Sequence, residues 1–352
     1  MTKELEELLD LTIKENASDL HISVGRYPTL RINGLLIPLL EKKVINPKKS
    51  EELIFSLITS EQKIKFLNDK QLDFSLSYKE VVRFRITIFH QRGYFSAAIR
   101  LIPQKIKTLE ELNLPTILRE FTTINQGFVL VVGPSGQGKS TTLAAMIDEI
   151  NHSKQVHVIT IEDPIEYIFS QDKSIISQIE IATDIKDFPF ALKSVLREDP
   201  DVIMLGEMRD PETISAAITA AETGHLVFST LHTNSASQTI DRIIDSFPSS
   251  QQNQIRTQLS LTLTSIFSQR LVILKDGSRM PVYEIMIATP AIRNLIRENK
   301  VHQIDLVIET SADQGMISLN KSLSLLIKSG KITKEYADSH SLNSPELKSL
   351  LS

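Results

Sequence analysis

Nine consecutive residues carry the clearest chemistry in this chain: Gly133, Pro134, Ser135, Gly136, Gln137, Gly138, Lys139, Ser140 and Thr141. They spell G-x-x-x-x-G-K-[ST] and follow an apolar run, Phe128, Val129, Leu130, Val131 and Val132, of the kind that forms a buried strand. Gly133, Gly136 and Gly138 permit positive φ and a close approach of backbone to phosphate. The N–H groups of the loop, and of a helix opening at Lys139, then point at the anion. Lys139 can reach the β- and γ-phosphates, and the Ser140 hydroxyl can ligate Mg²⁺. The pattern implies a nucleoside-triphosphate site, with ATP and Mg²⁺ as the expected cofactors.

Hydrolysis needs more than a cradle: a metal anchor, a group that orients water, and a cation facing the γ-phosphate. Val202, Ile203, Met204 and Leu205 run into Gly206 and Glu207, a Walker B shape that places Glu207 at the end of a sheet strand, close to the Mg²⁺. Arg209 and Asp210 follow and read as a structural ion pair. Glu162, Asp163 and Glu166 close another strand, and Pro164 keeps Asp163 out of a helix, so these acids sit on a rigid turn. One of them can polarise the attacking water. His225 and His232 bracket an apolar strand, which makes His232 a candidate sensor of the γ-phosphate. Arg83 and Arg85 lie two apart on a strand and share a face, opposite Phe84 and Ile86, while Arg100 ends a neighbouring strand. Such guanidiniums either pair with local acids or serve as arginine fingers, delivered in cis or to a neighbour in a ring.

The elements that must hold these groups fall into two patterns. Residues 3–16 read as an amphipathic helix and 18–24 as a strand; 29–40 contains the hairpin signal Asn33-Gly34. Residues 50–58 and 60–67 look helical, and 73–78, 81–90 and 94–102 look like strands. The first 102 residues thus predict a small α+β domain, with 103–124 as linker. From 125 to 352 the pattern changes to strands (128–132, 156–161, 202–205, 225–231) alternating with helices (from 139, 185–197, 211–223), which predicts a mostly parallel sheet flanked by helices. After about residue 245 the chain reads as mainly helical, with one further turn and strand near 276–286.

Composition limits the function classes. At 352 residues with a formal net charge of -4, the chain is no nucleic-acid scaffold, and its few aromatics argue against base stacking. It has no cysteine, which excludes a thiolate zinc site and fits the cytoplasm. Its apolar runs are strand-length, too short to span a membrane.

Over residues 17–330 the chain resembles the secretion ATPases of the type II secretion and type IV pilus superfamily. The resemblance lies in Ala17-Ser18-Asp19-Leu20-His21, in Arg31-Ile32-Asn33-Gly34, in the acidic turn at 161–166, in the D-P-D-V-I-M-L-G-E-M-R-D run at 199–210 and in the His box at 224–234. Within that superfamily, Ala291-Ile292-Arg293-Asn294-Leu295-Ile296-Arg297-Glu298 resembles the A-I-R-N-L-I-R-E signature of the pilus retraction ATPases, the PilT family. Unaided, the octapeptide reads only as an amphipathic helix with Ile292, Leu295 and Ile296 on one side.

The resemblance implies an α/β fold, a RecA-like P-loop ATPase core with a smaller PAS-like N-terminal domain, in a cytoplasmic homo-hexamer that binds ATP between the two domains. It implies work on an inner-membrane platform protein, peripheral association with that membrane and pilus retraction in twitching motility; the expectation of no nucleic-acid partner comes from the charge and the few aromatics. It makes Glu166 the water-activating acid, Glu207 the Walker B acid, His232 the His-box residue, and Arg83, Arg85 and Arg100 the basic groups of the N-terminal domain. Extension and secretion relatives commonly carry a four-cysteine zinc element, which this chain lacks. Where the family reads Q-R-E-V-G, this chain has Gln178, Ile179, Glu180, Ile181 and Ala182, and Val81-Val82 stands where glycine is expected before Arg83. These departures leave open an accessory paralogue of the PilU kind with weak hydrolysis; an extension or secretion ATPase of the same superfamily that lacks the zinc element is the other alternative, with the same chemistry and a different direction of work.

Overall fold

The computed structural model describes all residues except Asn33, Glu80, Val81, Pro103, Gln104 and Ser352. The expected hairpin residue Asn33, strand residue Val81 and linker residue Pro103 therefore lie outside the described residues. By compactness the chain divides into two units, Met1–Lys105 with Pro164–Ile168, and Ile106–Asp163 with Phe169–Ser352.

In the first unit, α1 (Lys3–Lys14) opens on the Thr2 hydroxyl as N-cap and buries Leu5, Leu8 and Leu9, spaced three and four apart. β1 (Asp19–Ile22), β2 (Thr29–Ile32) and β3 (Leu35–Pro38) come next, then α2 (Pro47–Phe55) and α3 (Ser60–Asp69), then β4 (Gln71–Tyr78), β5 (Val82–Gln91) and β6 (Tyr94–Ile102). Gly34, at φ 85°, supplies the positive-φ turn position between β2 and β3. The strands form one antiparallel sheet in the order β3-β2-β1-β6-β5-β4. Alternation sorts its faces: Phe84, Ile86 and Ile88 are wholly buried, while Arg83 and Arg85 lie half-buried on the other side.

The second unit begins with α4 (Ile117–Thr123) and is built on β7 (Gly127–Val132), α5 (Lys139–Ser153), β8 (His157–Glu162), β9 (Ile175–Glu180), α6 (Phe188–Val195), β10 (Val202–Leu205), α7 (Pro211–Glu222), β11 (Leu226–Leu231), α8 (Ala236–Asp245), α9 (Ser249–Thr262), β12 (Leu263–Ile273), β13 (Arg279–Ile287) and α10 (Pro290–Arg297). Further helices complete it: α11 (Ile304–Thr310), α12 (Leu319–Lys328), α13 (Lys334–His340) and α14 (Ser344–Leu351). Its sheet runs β13-β12-β7-β11-β10-β8-β9, parallel throughout except for β13. The central strands β7, β10 and β11 are buried at every position, as strands covered by helices on both faces must be, and in β11 this includes Ser229 and Thr230.

The alternating α/β architecture agrees with the sequence. Two strands were not anticipated. β9 carries an even mixture of polar and apolar residues at an edge of the sheet. β12 follows α9 with no intervening residue, so no turn signal separates helix from strand. The helix expected from 185 begins at α6 instead, where Asp187 caps it and proline occupies its first turn.

Candidate nucleotide-binding site

In a parallel sheet, strand carboxyl ends gather the loops that bind ligands. Here β7 ends at the glycine-rich loop, β8 at Glu162 and Asp163, β10 at Gly206 and Glu207, and β11 at His232. Register brings them together, because Leu205 pairs with both Ile161 and Ser229, and Leu231 pairs with Val132.

Gly133, Gly136 and Gly138 take φ of 149°, 75° and 84°. Gly138 is the N-cap of α5 and makes no side-chain cap hydrogen bond, and a helix N-terminus of this kind favours an anion. Ser140 and Thr141 sit half-buried in that turn. The buried Lys139 folds back, its Nζ donating to the carbonyls of Gly133 at 2.8 Å and Pro134 at 3.0 Å, with His232 Nδ1 at 3.4 Å. Ser135 Oγ lies 3.2 Å from the same His232 nitrogen. On the other side of the ring, His232 Nε2 is 3.5 Å from Glu207 Oε2. Lys139, His232 and Glu207 therefore form one polar chain that joins the loop, the His box and the Walker B strand.

Glu207 also binds Arg209 Nη2 at 2.5 Å, a hydrogen bond that raises the already high pKa of the guanidinium. The expected Arg209–Asp210 pair is replaced: Asp210 caps α7 and accepts from the Thr213 N–H at 2.8 Å and hydroxyl at 2.7 Å. Glu162 is buried and accepts from Thr160 Oγ1 at 2.8 Å and Gln178 Nε2 at 3.3 Å, which ties it into the sheet. Gly206 N donates to Ile161 O at 2.8 Å, and Thr230 Oγ1 donates to Gly206 O at 2.6 Å, so neighbouring strands fix the backbone that carries Glu207.

The remaining candidates belong to the first unit. Glu166 Oε1 lies 3.5 Å from Arg85 Nη1. Arg85 stands directly across from Arg100, Arg100 from Asp19, and Asp19 from Arg31. Asp19, nearly buried, draws Arg100 Nε to 3.0 Å and Arg31 Nε to 3.8 Å. Arg83 shares the face of Arg85 two residues away. The motif residues Asp19 and Arg31, to which the sequence reading gave no chemistry, thus bracket Arg100 in a row of charges.

Sequence reasoning missed Gln269. From β12 its buried amide accepts from Thr142 Oγ1 at 2.6 Å and donates to Gln137 O at 2.7 Å. Its neighbours bind the His-box loop: Ser268 Oγ donates to Asn234 O at 3.0 Å, and Arg270 Nη2 to Asn234 Oδ1 at 3.3 Å. No local motif marks these residues, and only recognition of β12 would have brought them to the site.

The model of the type II/IV secretion system protein family matches residues 1–335. The chain belongs to that family. Among relatives of this secretion-family ATPase, the type IV pilus retraction ATPase PilT of Pseudomonas aeruginosa is 45% identical over 338 residues, 95% of this chain and 97% of that one. A twitching motility protein of Neisseria gonorrhoeae is 44% identical, over 91% of this chain and 86% of its own. The type IV pilus ATPase PilU of P. aeruginosa is 39% identical, over 99% and 91%. A solved structure of the retraction motor PilT with bound ADP superposes with a TM-score of 0.92 at 45% identity, covering 99% of this chain and all of that one. The Legionella pneumophila ATPase DotB superposes with a TM-score of 0.80 at 26% identity, over 96% of this chain and 94% of its own.

Proposed function

We propose that this ATPase is a motor that couples ATP hydrolysis to type IV pilus retraction, and so to twitching motility. The observation that carries the reading is the Lys139–His232–Glu207 chain at the strand ends, in a protein alike throughout its length to PilT. ATP places its phosphates against the N-terminal turn of α5, and Lys139 exchanges the Gly133 and Pro134 carbonyls for phosphate oxygens. Ser140 and, partly through water, Glu207 would hold Mg²⁺, which would supply neutralising charge for the phosphates. Glu166 orients and deprotonates the attacking water, and His232 senses the γ-phosphate. Arg83, Arg85 and Arg100 supply cationic charge to the transition state; Asp19 fixes Arg100 in orientation.

The working form is a homo-hexamer in the cytoplasm that acts on an inner-membrane platform protein, in company with a PilU-like paralogue where one exists. Among the described residues no helix is long and apolar enough to cross a membrane. The accessory reading with weak hydrolysis rests on Ile179 and Ala182.

Steady-state hydrolysis by the purified protein, sized by light scattering with and without Mg-ATP, tests both readings. The expected result is hydrolysis by a hexamer, lost with Lys139→Ala and cut by roughly 10²–10⁴-fold with Glu166→Gln, which retains ATP binding. A hexamer that binds nucleotide and does not turn it over would establish the accessory reading instead. Restoration of twitching to a strain lacking its retraction ATPase tests the direction of work.

A further inference from the structure

The glycine-rich loop is fastened from outside itself. Gln269 is 3% exposed, and both ends of its amide are engaged, Oε1 by the Thr142 hydroxyl at 2.6 Å and Nε2 by the Gln137 carbonyl at 2.7 Å. Gln137 returns the contact, its own Oε1 accepting from Leu271 N at 2.7 Å. Two side-chain amides thus lace the tip of the loop and the first helical turn after it to β12.

The glycines agree with this arrangement. A Cβ on Gly133 would stand 2.3 Å from the Gln269 carbonyl oxygen, and one on Gly138 would stand 2.9 Å from Gln269 Nε2. A Cβ on Gly136 would meet nothing within 4 Å. Gly133 is therefore required by the close approach of the β12 backbone at Gln269, a Cβ at Gly138 would displace the Gln269 amide, and only Gly136 faces open space.

We propose that Gln269 is a positioning residue for nucleotide binding: acting through Gln137 and Thr142, it holds the phosphate cradle in its binding shape before ligand arrives. The proposal rests on the reading of 133–141 as the nucleotide cradle. A loop with three positive-φ glycines has many competing conformations, and binding must otherwise supply the free energy to select one. Tethers made during folding move that cost out of the binding step, which appears as affinity. Truncation also leaves the Gln137 carbonyl and the Thr142 hydroxyl in search of new partners, which pulls the loop from its shape.

The test is equilibrium binding of a fluorescent Mg-ADP analogue to the full-length protein, with steady-state ATPase assays alongside. Gln269→Leu keeps the side chain's bulk and removes both bonds. We expect its affinity for the analogue to fall roughly 10-fold or more, with KM for ATP rising by a similar factor and kcat changing less. Thr142→Val, which deletes one donor, should fall in the same direction by a smaller factor. A residue that merely satisfies the core would lower the melting temperature and leave affinity alone. Unchanged affinity in folded Gln269→Leu therefore overturns the proposal, whatever its melting temperature. If that variant does not fold, unchanged affinity in Thr142→Val overturns it equally. Lys139→Ala separates the two levels of the argument: if it too binds the analogue normally, the cradle reading itself fails. If Lys139→Ala loses binding while Gln269→Leu does not, only the role of Gln269 is refuted.

Discussion

Two residues hold unusual states that measurement can reach. Ala182 occupies a glycine's conformation, with φ at 63° and its N–H on the Ile185 carbonyl at 2.7 Å. A left-handed alanine costs about 1–2 kcal/mol, and glycine there would return this less about 0.5–1 kcal/mol of added unfolded-state freedom. Ala182→Gly should therefore raise the urea midpoint, by up to about 1.5 kcal/mol in stability; a lowered midpoint would mean that the methyl group packs better than the backbone suffers. Glu284 is buried on β13, where it accepts from Ala236 N at 2.7 Å. Burial pushes its pKa up to about 7, aided by Asp305 and Glu346 and opposed by the Ala236 N–H and Arg270. Because the folded state holds this proton more tightly, the stabilisation is complete below the ordinary carboxyl value of 4.5 and is lost as pH rises to about 7. Glu284→Gln keeps the acceptor for Ala236 and should flatten that decline and stabilise the protein above neutrality. An unchanged slope in urea titrations across the window would refute the assignment.

At the scale of elements, legibility followed local signals. β7, β10 and β11 announce themselves as apolar runs that end in a glycine, an acid or a histidine, and the site they build was readable for that reason. β12 abuts α9 without a turn, so the clamp made by Ser268, Gln269 and Arg270 was hidden although each residue is visible in the sequence. The octapeptide at 291–298 was legible only by resemblance, and the structure divides its labour. Ile292 and Ile296 are wholly buried in α10, and Leu295 packs partly against the same core. Arg293 is a staple: it donates to the carbonyls of Ala288 at 2.8 Å, Leu261 at 2.8 Å and Leu263 at 3.2 Å, closing the end of α9. Asn294 and Arg297 face solvent. Arg293→Ala should thus destabilise the protein by about 1–3 kcal/mol, since three carbonyls lose a charged donor. Asn294→Ala and Arg297→Ala should leave melting temperature and ATPase rate near wild type while twitching is lost. Equal losses of ATPase and motion in those two variants would deny the exposed face a role in transmission.

For the whole molecule, each unit has its own sheet and its own core. Pro164–Ile168, which lies between β8 and β9 in the chain, groups with the first unit and carries Glu166 to Arg85. The sequence showed the acidic turn but could not show this grouping, which depends on contacts remote along the chain. If the subunits of the proposed hexamer act in concert, a silent subunit will impede those beside it. Mixed rings make this measurable. Glu166→Gln subunits retain the cradle, so they should assemble with wild type and bind ATP normally. As their share rises at constant total protein, ATPase activity should fall much faster than the fraction of wild-type subunits, with assembly by light scattering unchanged. A strictly proportional decline would mean that each subunit turns over independently, and the coordinated-ring reading would have to be abandoned even if every residue assigned above proved necessary for hydrolysis.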